Sequence, residues 1–247
     1  MVAKPSLMVS FIVPAHNEAQ IIAATVTALH ASARGAGEPY EILVVDDAST
    51  DGTGDLARRA GATVVPATLR HIAAARNAGS RAAKGDKLLF VDADTRVPTD
   101  TVRAALDAMR GGAAGGGARV RFDGPLPRYA RPGVAVTLRT FRLLNMTVGC
   151  FMFCTRAAFD RIGGFDERLF AAEEVAFSLA IKRAGRLVLV EPPAVTSARK
   201  FRTHTAFEVA RMAAATVIGA RRAVAGAPAV VVRRPATRPG VMTGLSA

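Results

Sequence analysis

The sequence predicts an α/β domain built on an open, mostly parallel β-sheet with helices on both faces. Short apolar runs rich in β-branched residues alternate with amphipathic stretches through roughly the first hundred residues, which is the pattern of repeated strand–helix units. Three of the runs end in polar or acidic residues. Because ligands of open α/β sheets bind beyond the carboxyl ends of the strands, we expect the functional site along one edge of the sheet.

Four strands alternate with four helices in this first part of the chain. The strands are predicted from the apolar runs at 8–13, 41–45, 62–65 and 87–91. The helices are predicted at 18–33, 52–60, 71–84 and about 99–110. In the first helix the apolar residues recur at the spacing of one helical face, namely Ile21, Ile22, Val26 and Leu29.

The second half of the chain is less regular. The glycine-rich stretch at 111–117 predicts a flexible turn that leads into a strand, and residues 125–145, which carry Arg and Pro, predict an insertion near the site. A strand, a helix and a Gly-Gly turn are predicted within 149–170. Two further helices are predicted at about 171–185 and 205–224.

The charge balance is strongly basic. The formal net charge is +13, and the segment from Thr196 to Ala247 holds nine Lys and Arg residues against Glu208 alone. Such a patch suits an anionic partner, whether a nucleotide diphosphate, acidic lipid headgroups or nucleic acid. It also suits a surface that only keeps the protein soluble, and both interpretations stay open.

Cysteine usage and hydropathy indicate a reducing compartment. Cys150 and Cys154 lack the second pair that would complete a zinc site, so we expect reduced packing residues. The N-terminal apolar run from Leu7 to Val13 breaks at Pro14 without a small-residue cleavage site, which favours a first strand over a signal peptide. Since no window approaches the roughly 18 to 20 apolar residues of a membrane span, a cytoplasmic location is expected.

Asp92 and Asp94 are the leading candidates for chemistry. They directly follow the fourth predicted strand, in LLFVDADTRV. Like charges this close are costly to hold together unless something positive lies between them. The two carboxylates can bind a divalent ion that also takes two phosphate oxygens. The structural alternative is a turn with an N-cap for the next helix.

A second acidic pair, Asp46 and Asp47, closes the second predicted strand. One of these carboxylates could accept hydrogen bonds from a base or from ribose hydroxyls. The structural alternative is capping of the following helix by Ser49, Thr50 or Asp51. The two roles are compatible with each other.

Five stretches of the sequence resemble, in order, the signatures of family 2 glycosyltransferases with the GT-A fold. The resemblance covers residues 10 to about 190. The five stretches are SFIVPAHNEAQII, YEILVVDDASTDGTGDLA, AAARNAGSRAAKGDKLLFVDADT, IGGFDERLF and AEEVAFSLAIKRAG. The resemblance implies a nucleoside-diphosphate-sugar donor, linked to UDP or GDP, a Mg²⁺ or Mn²⁺ cofactor, and inversion at the anomeric carbon.

The resemblance also implies how the chain is organised. Residues 1–226 would form a single GT-A domain. Its nucleotide-binding half would span about 1–110, and its acceptor-side half, with a smaller mixed part of the sheet, about 111–226. The Pro-containing residues 227–247 predict a disordered basic tail.

Carried over residue by residue, the resemblance implies a donor pocket along the strand ends. Pro14, His16 and Glu18 would line the base and ribose pocket, with His16 standing where the family often has a Tyr that stacks on the base. Asp47 would contact the base, with Asp46 beside it.

The family resemblance also assigns residues to the phosphates and the metal. Arg76 and Asn77 would lie near the phosphates. Asp94 would be a direct metal ligand, and Asp92 would contact the ribose and a metal-bound water. His204 is a candidate third metal ligand, as C-terminal histidines are in some GT-A enzymes. Further candidates for holding the diphosphate are Arg199, Lys200 and Arg202.

Glu173 and Glu174 are the candidates for the catalytic base, and here the sequence departs from the family pattern. The family commonly reads Glu-Asp-x-Asp at the start of this helix, with the Asp after the Glu as base. In this chain Glu174 takes that position and Ala176 replaces the second Asp. A Glu can still accept a proton from a hydroxyl, and which of the two does so stays open. The structural alternative is two solvated carboxylates in the first turn of a helix.

The predicted function is transfer of a sugar to an unknown hydroxyl acceptor, either a glycan or a lipid-linked one, by a metal-assisted single displacement. The enzyme would be of the hexosyltransferase type. The basic C-terminal region permits peripheral contact with the anionic inner face of a membrane.

Other classes of protein fit parts of the sequence. The motif DADT at 92–95 matches the nucleophile motif of haloacid-dehalogenase-like phosphatases, but that motif opens its domain and needs a later acidic pair, whereas no Asp follows Asp166. A nucleic-acid or anionic-surface binder without catalysis would explain the charge. The chain has 6% aromatic residues and no Trp, and its basic residues are not interleaved with stacking ones, so no nucleic acid partner is expected. A non-enzymatic scaffold of the same fold is a further alternative, suggested by Ala176.

Overall fold

The computed structural model describes residues 8–169 and 172–199, and the predicted α/β architecture is confirmed. Within these residues eight strands form one sheet in the order β3-β2-β1-β4-β7-β6-β8-β5. The strands are β1 (Val9–Ala15), β2 (Tyr40–Asp47), β3 (Thr63–Ala67), β4 (Lys87–Val91), β5 (Thr95–Arg96), β6 (Ala113–Phe122), β7 (Phe151–Thr155) and β8 (Arg186–Thr196). The helices are α1 (Ile22–Ala36), α2 (Thr53–Arg59), α3 (Ile72–Ala82), α4 (Thr99–Arg110), α5 (Arg131–Leu143), α6 (Arg156–Ile162) and α7 (Glu173–Ala184).

Helices cover both faces of the sheet. On one face, α1 and α4 bury apolar residues such as Val26 and Leu106 against the strands. On the other, α3, α6 and α7 pack around a cluster of phenylalanines that includes Phe90 and Phe177. Burial of both faces explains why β1 and β4 are continuous apolar runs rather than alternating ones.

The register of the strands brings the acidic ends to one edge. The strands β1, β2 and β4 are mutually parallel, and Ala15 at the end of β1 pairs with Asp46 at the end of β2. Strand β7 is antiparallel to β4, with Val91 opposite Phe151. The segment that enters β7 therefore reaches the same edge as the end of β4. We call this edge the site edge.

The structure of the glycine-rich stretch at 111–117 differs from the predicted flexible turn. Ala113–Phe122 is one long strand, so the glycines at 115–117 lie inside the sheet instead of in a flexible turn. A Cβ at Gly116 would lie 1.8 Å from the carbonyl oxygen of Val188, and one at Gly115 would lie 2.5 Å from that of Phe153. Close approach of the neighbouring backbones requires glycine here, and this outweighs its low strand propensity.

The predicted insertion at 125–145 contains helix α5. Strand β5, which lies between β4 and α4, and strand β8 were not predicted from the sequence. The predicted helix at 205–224 and the predicted tail at 227–247 lie outside the described residues.

The cysteines and the hydropathy behave as expected within the described part of the chain. Cys150 and Cys154 are both buried thiols, which confirms their role in packing. Among the residues from 8 to 199 that the structure describes, no helix is long and apolar enough to cross a membrane.

Candidate active site

Three loops of the site edge turn sharply just after their strands. Asn17, Ala48 and Arg70 follow β1, β2 and β3, and each has a positive φ, of 54°, 56° and 51°. Ala172, immediately before α7, has φ 66°. Non-glycine residues in this region are strained, and such residues concentrate at functional sites.

The loops that follow β1 and β2 are bound to each other. The backbone N–H of Asn17 donates to Ser49 Oγ at 3.0 Å, and the backbone N–H of Thr50 donates to Asn17 Oδ1 at 2.9 Å. The backbone N–H of Glu18 donates to Thr53 Oγ1 at 2.8 Å. These bonds satisfy the polar groups of both loops and fix the side chains that the sequence assigns to the base and ribose pocket.

The half-buried ring of His16 and the buried carboxylate of Asp47 belong to this arrangement. His16 Nδ1 lies 2.7 Å from the backbone oxygen of Asp47. The Asp47 carboxylate accepts backbone N–H bonds from Leu69 and Arg70, at 2.5 and 2.9 Å, and from His71 at 3.2 Å. Asp47 thus holds the β3–α3 loop, a role that the sequence did not suggest.

Asp46 and Pro14 flank that pair. Asp46 Oδ1 accepts the backbone N–H of Ser49 at 3.3 Å, and Pro14 is half-buried within β1, paired with Val45. A Cβ at Gly54 would lie 2.4 Å from Asp46 Oδ2. Glycine at the start of α2 therefore leaves room for this carboxylate.

The guanidinium of Arg76 joins three parts of the chain at the site edge. Nη2 donates to Asp92 Oδ1 at 3.0 Å and to the backbone oxygen of Gly149 at 2.9 Å, and Nη1 donates to Glu173 Oε1 at 3.0 Å. Its Cζ lies 5.3 Å from the centroid of the Phe165 ring. One cation thus connects the end of β4 with the start of α7.

Charge pairing keeps Arg76 ionised in spite of its burial. The side chain is 1% exposed, and burial alone would lower its pKa. The carboxylates of Asp92, Glu173 and Glu174 outweigh that effect, so the pKa of Arg76 is raised. The positive charge demanded by closely spaced carboxylates is therefore supplied in part by the protein itself.

Arg76 and Asn77, which the family resemblance places near the phosphates, bind protein groups in this structure. Asn77 is buried, and its Nδ2 donates to the backbone oxygen of Phe165 at 2.9 Å and to Glu167 Oε1 at 2.8 Å. Its Oδ1 accepts the backbone N–H of Phe165 at 2.9 Å. Since both side chains are buried and bonded to protein groups, they position the IGGFDE segment and the acidic residues.

The turn from Asp92 to Asp94, which we call the D-x-D turn, is fixed from both sides. Thr25 Oγ1, on α1, donates to the backbone oxygen of Ala93 at 2.6 Å. On the opposite side, the backbone oxygen of Asp94 accepts the N–H of Ser197 at 3.1 Å, and Asp94 Oδ1 lies 3.4 Å from Thr196 Oγ1. The turn is therefore fixed between α1 and the end of β8.

The start of α7 presents two carboxylates with different environments. Glu173 is buried and paired with Arg76, whereas Glu174 is half-buried. Burial, together with the charge of Glu173, raises the pKa of Glu174 to about 8. Two carboxylates of which one is ion-paired and the other is held neutral near pH 7 have distinct chemical capabilities.

A basic residue from the end of the described chain returns to the site edge. Arg199 Nη2 donates to Glu18 Oε2 at 2.5 Å. Lys200, Arg202 and His204, which the sequence assigns to the diphosphate and the metal, lie outside the described residues.

The acidic residues of the site edge could hold a divalent ion that is also coordinated by the oxygens of a diphosphate. Within residues 8–169 and 172–199, no group of three or more His, Cys, Asp or Glu side chains could hold a metal ion by itself. Carboxylate oxygens are the ligands that Mg²⁺ prefers, and this ion is usually bound by one or two carboxylates together with substrate phosphates. Asp92 and Asp94, just after β4, are two carboxylates that could hold such an ion.

The fold is that of GT-A glycosyltransferases, and solved structures with this fold are similar to the chain. A mannosyltransferase from Pyrobaculum calidifontis, in complex with GDP-Man and Mn²⁺, is 20% identical with a TM-score of 0.60, over 92% of this chain and 77% of that one. Glucosyl-3-phosphoglycerate synthase from Mycobacterium tuberculosis, in complex with Mn²⁺, UDP and phosphoglyceric acid, is 20% identical with a TM-score of 0.61, over 90% and 80%.

The chain belongs to glycosyl transferase family 2, whose model matches residues 10–163. Among curated proteins, it is 30% identical over 113 residues to the undecaprenyl-phosphate 4-deoxy-4-formamido-L-arabinose transferase of Aeromonas hydrophila, across 42% of this chain. The match spans 34% of the length of that relative.

Several residues that build the site carry little signal in the sequence. Thr25 is a polar residue on the apolar face of α1, beside Ile22 and Val26, and this exception to the pattern could have drawn attention to it. The carbonyl of Gly149 and the ring of Phe165 have no such signal, because their role depends on the position of Arg76.

Proposed function

We propose that this glycosyltransferase takes a sugar from a UDP- or GDP-linked donor and transfers it, with inversion, to a lipid-linked acceptor by a single metal-assisted displacement. The observation that carries the proposal is the bridge from Asp92 through Arg76 to Glu173, which holds the D-x-D turn and the start of α7 beside each other. The donor half spans residues up to about 110, and the acceptor half spans the rest of the domain.

The donor side of the proposal rests on the site edge. Pro14, His16 and Glu18 line the base and ribose pocket, with Asp46 and Asp47 beside them. Two paired loops and the backbone bonds to Asp47 support this assignment, because they pre-organise the pocket.

The metal side rests on the D-x-D turn. Asp94, with Asp92, would hold a Mg²⁺ or Mn²⁺ ion, which when bound neutralises charge on the leaving diphosphate. Arg76 positions Asp92 and Glu173 and itself remains buried.

Glu174 acts as the general base toward a hydroxyl acceptor. Its ionised carboxylate takes the hydroxyl proton while the acceptor oxygen forms a bond to the sugar C1 and the bond from C1 to the diphosphate breaks. Glu173 is already paired with Arg76, so of the two carboxylates Glu174 is the better proton acceptor.

A phosphate acceptor is a second candidate, favoured by two observations. The curated relative is named for undecaprenyl phosphate, and a phosphate oxygen attacks without giving up a proton. Because burial raises the pKa of Glu174 to about 8, a neutral Glu174 would not repel a phosphate and could donate a hydrogen bond to it.

The pH dependence of kcat/KM distinguishes the two acceptors. With a hydroxyl acceptor, we expect kcat/KM to rise about tenfold per pH unit up to the pKa of Glu174, about 8, and to level off above it. With a phosphate acceptor, kcat/KM should fall above that pH as Glu174 becomes charged. A profile without an inflection between pH 7 and 9 would exclude Glu174 from either role.

The donor is identified by thermal stabilisation with a panel of nucleotide-sugars, with and without Mn²⁺. A bound donor should raise the Tm only in the presence of the ion. In Asp94→Asn, the affinity for the donor should fall at least tenfold. Asp100 is an exposed carboxylate on α4, and the control variant Asp100→Asn should bind the donor as the wild type does. Equal, metal-independent stabilisation of wild type and Asp94→Asn would refute the donor and metal assignments.

A further inference from the structure

Only a small part of the surface of helix α5 packs against the rest of the described domain. Of its 13 residues, only Phe141 is buried. Large apolar side chains remain exposed on the helix and just after it, with exposures of 66% for Val136, 77% for Leu143 and 52% for Leu144. Burying apolar side chains of this size is favourable, so this surface lacks a partner within the described part of the chain.

The exposed side of α5 is amphipathic in a particular way. At 100° per residue, Val136 and Leu143 fall on the same side of the helix as Pro132. Arg139 and Arg142 fall next to this stripe. A basic helix whose apolar stripe is exposed is typical of a segment that lies in a membrane interface.

The charge around α5 has a single sign. Between Asp123 and Arg156 the sequence contains no Asp or Glu. The same stretch contains four arginines, namely Arg128, Arg131, Arg139 and Arg142. This segment therefore attracts anionic groups without the internal ion pairs found on other helices, such as the pair of Arg58 with Asp55.

An open groove runs along the helix. It is a cavity of about 700 Å³ between α5, β6 and β8, and Val136 and Leu143 of the exposed stripe line it together with apolar residues such as Val120 and Leu189. The charged residues in its lining are all arginines, Arg119, Arg139 and Arg142. An apolar cavity rimmed by cations matches a molecule with an apolar chain and an anionic head.

The C-terminal end of α5 packs against the start of α7 in the candidate active site. Phe141, at its C-terminal end, and Met146 pack with Ala172 and Val175, the residues on either side of the two glutamates. A ligand that immobilises α5 would therefore also restrain the start of α7, which carries Glu174.

We propose that α5 and its flanking residues dock on the surface of a bilayer that contains anionic lipid. Val136, Leu143 and Leu144 enter the interface, and the neighbouring arginines bind headgroup phosphates. A contact with a second copy of the chain is disfavoured, because a two-fold contact would bring two clusters of four arginines together. The docking goes beyond the proposed function and does not require that the protein be active.

Sedimentation of the 247-residue protein with vesicles tests the proposal. We expect the protein to bind vesicles of phosphatidylcholine that contain about 30% phosphatidylglycerol, an anionic fraction on the order of that in natural membranes. Binding to vesicles of pure phosphatidylcholine should be weaker, and added salt should weaken binding to the anionic vesicles. Val136→Ser with Leu143→Ser should lower the partition coefficient at least about tenfold. Arg139→Gln with Arg142→Gln should lower it about tenfold or more.

Two controls make the result decisive. Arg58→Gln with Arg59→Gln removes the same charge from exposed positions on α2 and should leave partitioning within about twofold. Arg221→Gln with Arg222→Gln tests the basic C-terminal segment. If this variant loses vesicle binding while the α5 variants still bind like the wild type, the proposal is overturned. A change of oligomeric state in the α5 variants without a change in vesicle binding would also overturn it, because α5 would then be a protein interface. Donor-induced thermal shifts in each variant separate these outcomes from failure of the proposed catalytic function.

Discussion

Replacing Arg76 with leucine is expected to destabilise the protein by about 3–5 kcal/mol and to abolish sugar transfer. Arg76 is 1% exposed and bridges Asp92 to Glu173, with both contacts at 3.0 Å. Without the cation, the buried Glu173 loses its ion pair, and the D-x-D turn loses its link to α7. Urea denaturation measures the first effect, and turnover measures the second.

Two comparisons separate this effect from a general loss of packing. Arg58→Leu, at an exposed ion pair, should cost less than about 1 kcal/mol. Combining Arg76→Leu with Glu173→Leu should recover part of the lost stability, because an apolar pair avoids the uncompensated charge. If Arg76→Leu leaves the free energy of unfolding unchanged, the bridge does not exist in the folded protein.

Replacing Glu174 with glutamine is expected to lower kcat by about 10²–10⁴-fold with a hydroxyl acceptor and to leave donor affinity unchanged. The amide keeps the shape of the side chain but cannot accept the proton. Glu174→Asp, which restores the residue common in the family, should retain a measurable part of the activity. Full activity in Glu174→Gln would exclude a general base at this position and favour the phosphate acceptor, since the amide resembles the neutral carboxyl.

The same variant is expected to be more stable than the wild type at alkaline pH. Because the pKa of Glu174 rises from 4.5 to about 8 on folding, the folded state holds a proton that the unfolded state has released. Stability of the wild type therefore decreases between pH 4.5 and 8 relative to Glu174→Gln. After allowance for solvent screening at a half-buried site, we expect a difference of about 2 kcal/mol at pH 8.5 and none below pH 4. Parallel stability curves would show that the carboxyl is not perturbed.

The sequence predicts most of the nucleotide-binding half because its signals are local. Buried parallel strands require continuous apolar runs, so β1, β2, β3 and β4 can be located to within two residues of their ends. Their parallel arrangement follows from the helices between them. The convergence of Asp46 and Asp92 on one edge is then a consequence of topology.

The remaining features depend on contacts between residues distant in the chain. Arg76 and Glu173 are 97 residues apart, and no spacing rule relates them. The glycines at 115–117 become a strand only because neighbouring backbones approach closely. Strand β8 contains Pro192 and Pro193, which argue locally against a strand, and its pairing with β6 outweighs that preference.

The proposal that the D-x-D turn and the start of α7 lie around one metal ion is tested most directly by affinity cleavage. Fe²⁺ replaces Mn²⁺ in the presence of UDP or GDP, ascorbate and peroxide generate radicals at the bound ion, and mass spectrometry locates the cuts. We predict nucleotide-dependent cuts near Asp92–Thr95 and near Glu173–Val175, both lost in Asp94→Asn. Cuts confined to one of these segments, or unchanged in Asp94→Asn, would contradict the shared site.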